Sequence, residues 1–304
     1  MRTHQRGVAI VLAMSVVALA AMTATAIMVS QSTWSRQSEL TADHTQAQGL
    51  VRAGVDWARA VLSDDRATSN LDHLGEAWAL RPAPVPVDNG EINGYIQDQQ
   101  GAFNLNNLVA GGRINRVEFA RFCRLLSILG LSPALADALA DWLDADDEPH
   151  SANGAEDGYY LAMPAPYLAA NQPLTDLSEL ALVRGFDDQV RARLRPFVTA
   201  LPRYTQINVN TASAEVLAAM IDDMDLDVAR TLVAQRERAY FTSVEDFASR
   251  IPGKLAVPAS GVVLASQYFI VTLNVNFGQA QARGAALLTR DGAGWPAVVW
   301  RKTL

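Results

Sequence analysis

Cysteine is nearly missing from these 304 residues: Cys123 stands alone, so no intramolecular disulfide and no thiolate-rich metal centre can form. Histidine is scarce too. His4, His44, His73 and His150 never fall four apart, which excludes the helical His-x-x-x-His pair of zinc hydrolases. Neither a G-x-S-x-G elbow nor a Walker phosphate loop occurs, and no acid pair comes with a nucleophile, so no enzyme is expected. Bases are outnumbered, 25 Lys and Arg against 32 Asp and Glu for a net charge of −7, which argues against a general nucleic-acid surface. Half of the residues are hydrophobic, 19% are charged and 7% are aromatic; that composition excludes a disordered chain and leaves one or two packed domains.

Charge is also absent from one long stretch. Val8 to Val29 is 22 residues without a charged side chain, roughly 33 Å as a helix and enough to cross a bilayer. Arg2, His4 and Arg6 precede it and the next charge is Arg36, so the N-terminus is expected inside and the body outside. The small-residue stretch Ala18–Ala26 could serve signal-peptide cleavage, but the apolar run exceeds the usual core of about 7–15 residues, which favours an uncleaved anchor. Proline does not occur before Pro82, nor glycine between Gly7 and Gly49, so the helix is expected to continue over Ser32–Leu62. Val51, Val55, Ala58 and Leu62 share one stripe there, with Trp57 close by, while Gly49 and Gly54 weaken the helix. Arg81-Pro-Ala-Pro-Val-Pro86 reads as an extended linker.

Beyond it, Glu91–Asp98 and Gln267–Phe277 alternate as strands; Phe269, Val271, Leu273, Val275 and Phe277 form one face of the second. Ala285–Arg290 and Ala297–Arg301, joined by Asp291-Gly-Ala-Gly294, predict a hairpin. About 150 helical residues lie between the strands and carry a weak repeat. Asn104-Leu-Asn106 and Asn208-Val-Asn210 open the copies, Leu174–Leu180 and Phe241–Phe247 close them, and Ser132-Pro133 starts a helix in the first. The first copy is 37 residues longer, and most of the excess falls around an acidic segment.

That segment, Asp141–Asp157, holds seven carboxylates and no base; without it, acids and bases balance. Such crowding stabilises only if solvated or bridged by a cation. Asp141 and Asp144 share a face at a helix C-terminus, where the dipole also disfavours anions. Asn153-Gly154 allows a return that brings Glu156 and Asp157 back. An oxygen-only set suits calcium, with Asp141, Asp144, Asp146, Asp147, Glu156 and Asp157 as candidate ligands for one or two ions. It is not an EF-hand: Pro149 occupies the glycine position and Ala155 the final ligand position. His150 is read as exposed and Cys123 as a small apolar side chain.

Arg6-Gly7 followed by Val8-Ala-Ile-Val-Leu12 resembles the leader of type IV pilins and pseudopilins, although Leu12 stands where most members carry Glu. Phe103-Asn-Leu-Asn-Asn-Leu108, Asp141-Trp-Leu-Asp-Ala-Asp146, Glu156-Asp-Gly-Tyr-Tyr160, Pro166-Tyr167 and Asn171-Gln-Pro-Leu174 resemble the protein K family of type II secretion minor pseudopilins. The resemblance implies an α+β, type IV pilin-like fold: a long N-terminal helix on a small antiparallel sheet, with a large inserted all-α domain. The expected parts are a leader (1–7), a membrane-spanning helix (8–29), a periplasmic helix with the first strands (30–103), the helical insertion (104–250, with the acidic loop at 141–157) and the last strands (251–304). It further implies cleavage after Gly7 by the prepilin peptidase, methylation of Val8, calcium, and residence in the bacterial inner membrane with the body periplasmic. The I and J pseudopilins are the implied partners, at the pseudopilus tip. Lacking the Glu that contacts the amine of a subunit above, this chain fits the top position. The rival reading comes from Ile207–Ser213, Arg230–Arg236 and Phe241–Phe247, which resemble a helix-hairpin-helix DNA binder. Its hairpin reads Asp222-Asp-Met-Asp225, without glycine and with three carboxylates, so no nucleic acid is expected.

Overall fold

The structure, a computed structural model, describes residues 4–258, 260–292 and 294–304; Met1–Thr3 of the expected leader and Ala293 of the expected turn lie outside them. Helix α1 (His4–Thr68) runs unbroken for 65 residues, about 98 Å at the standard rise. Its first half turns Val11, Leu12, Met22 and Ile27 outward, and its apolar window has a mean hydropathy of 2.3, sufficient to cross a membrane. Trp34, also exposed, stands just past the apolar run, a position where aromatic side chains meet a membrane surface.

From Ala47 the helix lies on a sheet. Ala47, Val55, Ala58 and Leu62 are buried at three- and four-residue spacing, and Val51 is half-buried. Trp57 points away from this stripe and is 55% exposed. Gly54 is where the two layers touch: a Cβ there would stand 2.8 Å from Leu273 Cδ1 and 3.2 Å from Ile92 Cδ1. Nothing lies within 4 Å of the same position on Gly49.

The sheet has strands β1 (Val85–Val87), β2 (Gly90–Asp98), β3 (Tyr268–Phe277), β4 (Ala280–Thr289) and β5 (Ala297–Thr303), antiparallel and in that spatial order. The segment expected as a linker therefore supplies an edge strand, with Val85 opposite Ile92 and Pro86 opposite Glu91. Proline is tolerated there because an edge strand need not donate its N–H. Strand β4 begins five residues before its expected start. Ala282, Gly284 and Ala286 form its inner face, and a Cβ on Gly284 would come within 2.5 Å of Val51 Cγ1. These small residues let α1 lie close, and they erase the alternation by which a strand is read. Gly278, at φ 54, opens the two-residue turn from β3 to β4, while Asp43 on α1 accepts from Gln279 N at 3.0 Å. The inner face of β3 buries Phe269, Val271, Leu273 and Val275, and Trp78 closes that core edge-on to Phe269 at 5.2 Å.

Residues 99–267 stand between the neighbouring strands β2 and β3. They form α2 (Arg116–Ile128), α3 (Leu135–Leu143), α4 (Asp157–Tyr160), α5 (Asp188–Leu194), α6 (Ala214–Met220), α7 (Leu226–Arg238) and α8 (Val244–Arg250) around a core of their own. Helix α3 starts two residues after the expected Pro133; Ser132 Oγ instead accepts from Ala134 N at 3.3 Å in the turn before it. The repeat is visible in hydrogen bonds. Asn106 accepts from Leu174 N at 2.8 Å and donates to Leu174 O at 2.9 Å. Asn210 makes the same pair with Phe241, at 2.8 and 2.9 Å. Gly130 (φ 63) and Asp223 (φ 61) take the left-handed turn between the paired helices of each copy. On the outer face of the sheet, Leu201 of the insertion packs with Tyr268 and Leu287.

A polar knot ties insertion, sheet and helix together. Asp98 accepts from Gln100 N (2.7 Å), Thr211 Oγ1 (2.5 Å), Ser266 Oγ (2.7 Å) and Asn208 Nδ2 (3.2 Å). Burial pushes its carboxyl up to about 6 against those bonds. Beside it, buried Arg290 bridges Asp72 at 2.5 Å and Asp65 at 2.8 Å.

Candidate metal centre

Helix α3 is built from Leu-Ala-Asp-Ala-Leu-Ala-Asp-Trp-Leu, and it drives Leu139, Trp142 and Leu143 into the core of the insertion. Asp141 goes in with them and is fully buried; Asp144 caps the C-terminus at 4% exposure. Trp142 packs edge-on against Tyr160 at 5.2 Å, and Tyr160 stacks on Tyr167 at 5.2 Å. This aromatic base anchors the two ends of the acidic loop. The loop returns past Asp141, whose Oδ1 accepts from His150 N at 3.0 Å. A Cβ on Gly154 would stand 2.0 Å from Asp141 Oδ2, so only glycine passes so close.

The return brings Glu156 opposite the end of α3. Asp144, Asp146 and Glu156 present carboxylate oxygens that all lie within 4.8 Å of one another. Asp144 Oδ1, Asp141 Oδ2 and both oxygens of Glu156 are buried without a hydrogen-bond donor. Burial first, and then the neighbouring Asp146 and Asp141, push Asp144 up to about 7; burial and the acids around it push Glu156 up to about 8. Asp141 is raised as well, chiefly by burial. Orphaned carboxylate oxygens at the negative end of a helix dipole are costly. A hard divalent cation would relieve every one of these penalties, and an all-oxygen donor set fits calcium better than zinc.

Two further acids of the loop also make hydrogen bonds to the segment behind it. Asp147 Oδ1 accepts from Asn171 Nδ2 at 3.0 Å and Asp157 Oδ1 from Ala169 N at 2.8 Å, so both tie down the segment behind the loop. His150 is exposed, and Cys123 is half-buried against the core of the insertion. A second acidic triad, Asp65, Asp72 and Glu76, was not legible in the sequence. Arg290, 218 positions from Asp72, pairs with Asp65 and Asp72, while Glu76 accepts from His73 N and Trp78 Nε1, and no local pattern announces the Arg290 pairing. At the hairpin between α6 and α7, Asp222 pairs with Arg124 at 2.8 Å. The Gly7–Val8 bond lies in the opening turns of α1.

Two family models, both described as "Type II secretion system (T2SS), protein K", match residues 101–203 and 207–265, one on each copy of the repeat. The chain is 37% identical over 307 residues to Type II secretion system protein K of Pseudomonas aeruginosa, covering 97% of this chain and 91% of that protein. It is 35% identical to the protein of the same name from Klebsiella pneumoniae, covering 96% and 94%. Among solved structures, it resembles a chain in the crystal structure of the GspK-GspI-GspJ complex from the enterotoxigenic Escherichia coli type 2 secretion system. The TM-score is 0.78 at 27% identity, over 88% of this chain and 99% of that one. The long helix, the antiparallel sheet with its helical insertion and the sequence itself agree: this chain belongs to the type II secretion system protein K family.

Proposed function

We propose that this chain is the minor pseudopilin at the tip of the type II secretion pseudopilus, assembling there with the I and J pseudopilins and helping to initiate the fibre. The observation that carries this reading is the placement of 169 residues, 99–267, at the end of the sheet away from the apolar half of α1. A body of that size would stand where a further subunit would have to stack, which supports the top position. Leu12, in place of an acid, removes the upward contact that a shaft subunit makes. The apolar half of α1 anchors the chain in the inner membrane with the body periplasmic, the prepilin peptidase removes Met1–Gly7, and Val8 becomes the methylated N-terminus.

Calcium belongs to this reading. Asp144, Asp146 and Glu156 would hold it, with Asp141 alongside, and the ion would supply the positive charge that the end of α3 lacks. Asp141 and Gly154 then set the path of the returning loop, and Asp147 and Asp157 hold Asn171 and Ala169 behind it. Isolated pseudopili carrying a gold label at exposed Leu304 test the assignment. Gold at one end of each fibre is expected, on a chain whose mass starts at methylated Val8. Gold at regular intervals along the shaft, or a mature start beyond Ala20, would refute it.

A further inference from the structure

A basic groove opens where α1 passes the edge of the sheet. It measures about 250 Å³, and Val51, Val55 and Ala282 form its floor. Arg52, Arg283, Arg301 and Lys302 stand around it, and no carboxylate lines it. In a chain of net charge −7, four cations about one apolar groove are a marked local reversal. Lys302 has a partner, since it bonds Asp176. Arg301 reaches only Asp56, at 3.8 Å, and Asp56 is already bonded to Arg59 at 2.9 Å. Among the described residues, neither Arg52 nor Arg283 has an acidic partner. The same seam continues along α1 and the start of β5. There Arg59 lies 5.4 Å over Trp295 and donates to Pro296 O at 2.7 Å, while Trp295 and Trp57 are 58% and 55% exposed. Exposed tryptophan beside arginine is the composition of interface hot spots.

We infer that this seam between α1 and β5 docks another pilin-like subunit through a face that carries carboxylates around an apolar centre. The inference rests on the assembly reading above. Charge complementarity selects the occupant: carboxylates would pair with Arg52 and Arg283, and an apolar side chain would fill the floor. Anionic lipid is out of reach, because Val51 lies 22 positions beyond Val29, about 33 Å up the helix, several times the Debye length of about 8 Å. An added strand does not suit the edge either. The pairing of β5 with β4 shifts between Leu287 and Leu288 and leaves Val299 of β5 as a bulge, and a bulged edge is a poor template for further pairing.

The test uses the full chain in detergent with the I and J pseudopilins. Arg52→Glu combined with Arg283→Glu is expected to weaken the complex at least tenfold. The milder Arg52→Gln with Arg283→Gln should flatten its salt dependence. Both sites are exposed, and an unchanged melting temperature will show that the fold is kept. A photo-crosslinking residue at position 52 should capture a partner subunit, whereas one at Asn274, on the far face of the sheet, should not. If the wild type binds I and J and the charge-reversed chain binds them equally well, the groove is not the docking site. Crosslinks from position 274 alone would say the same. If the wild type binds neither subunit, the assembly reading falls and takes this inference with it.

Discussion

Glu156 is a carboxylate with nothing to bond. Both of its oxygens are buried without a donor, and its acidity is suppressed until about 8, so at neutral pH it needs either a proton or a cation. With calcium at a hundredfold excess over its dissociation constant, the native state should gain about 2.7 kcal/mol. In a thermal melt of the full chain, that is a rise of several degrees. Glu156→Ala should abolish the rise. An equal shift in the variant, or none in the wild type, would count against the site. The sequence makes the acidic loop plain, as seven carboxylates without a base. It does not say which three converge, because that depends on where α3 ends and on how closely the loop passes Asp141 at Gly154. Asp147 and Asp157, also candidate ligands, each accept a bond through Oδ1, from Asn171 and Ala169, contacts that no spacing in the sequence announces.

Among the elements, α1 and the sheet show how glycine spacing sets distance. Gly49 and Gly54 look alike in the sequence, and each costs the helix about 1 kcal/mol relative to alanine. Only Gly54 gains contact in return, because Leu273 and Ile92 fill the space of its absent side chain. Gly54→Val should therefore destabilise the chain by about 1–3 kcal/mol through overpacking, whereas Gly49→Ala should stabilise it by about 0.5–1 kcal/mol. Paired thermal melts of the two variants in detergent check this, and equal shifts would contradict the packing described. Strand β3 was legible because its large apolar residues alternate. Strand β4 was legible only from Ala285 onward; its first half was missed because the face under α1 there is Ala282 and Gly284, and small residues carry no periodic signal. The repeat was legible in its asparagines, which turn out to clasp the two matching segments by identical hydrogen-bond pairs.

At the scale of the molecule, the halves meet at Asp98, whose partners come from the insertion and from the approach to β3. The native chain holds the Asp98 proton up to about 6, above the ordinary 3.8 of the unfolded chain. Its contribution to stability is thus complete below about 3.8 and lost as pH rises through about 6. Between pH 7 and pH 4, the stability of the wild type should rise relative to Asp98→Asn by at most about 3 kcal/mol. Denaturation curves at each pH measure this, and pH profiles that run parallel would show that Asp98 keeps its charge. Only the bond from Gln100 is local; the other three donors lie 110, 113 and 168 positions away, so this junction could not be read from the chain.

The insertion leaves and re-enters the sheet through one doorway, with Asp98 opposite Phe269 on paired strands. Whatever the chain builds between those two posts, their spacing and pairing are already set by the ladder between β2 and β3. The cargo at the end of the rod can therefore grow, shrink or be exchanged from one relative to another without disturbing how the rod beds into its platform. A single architecture can in this way pair a constant stem with a changeable head.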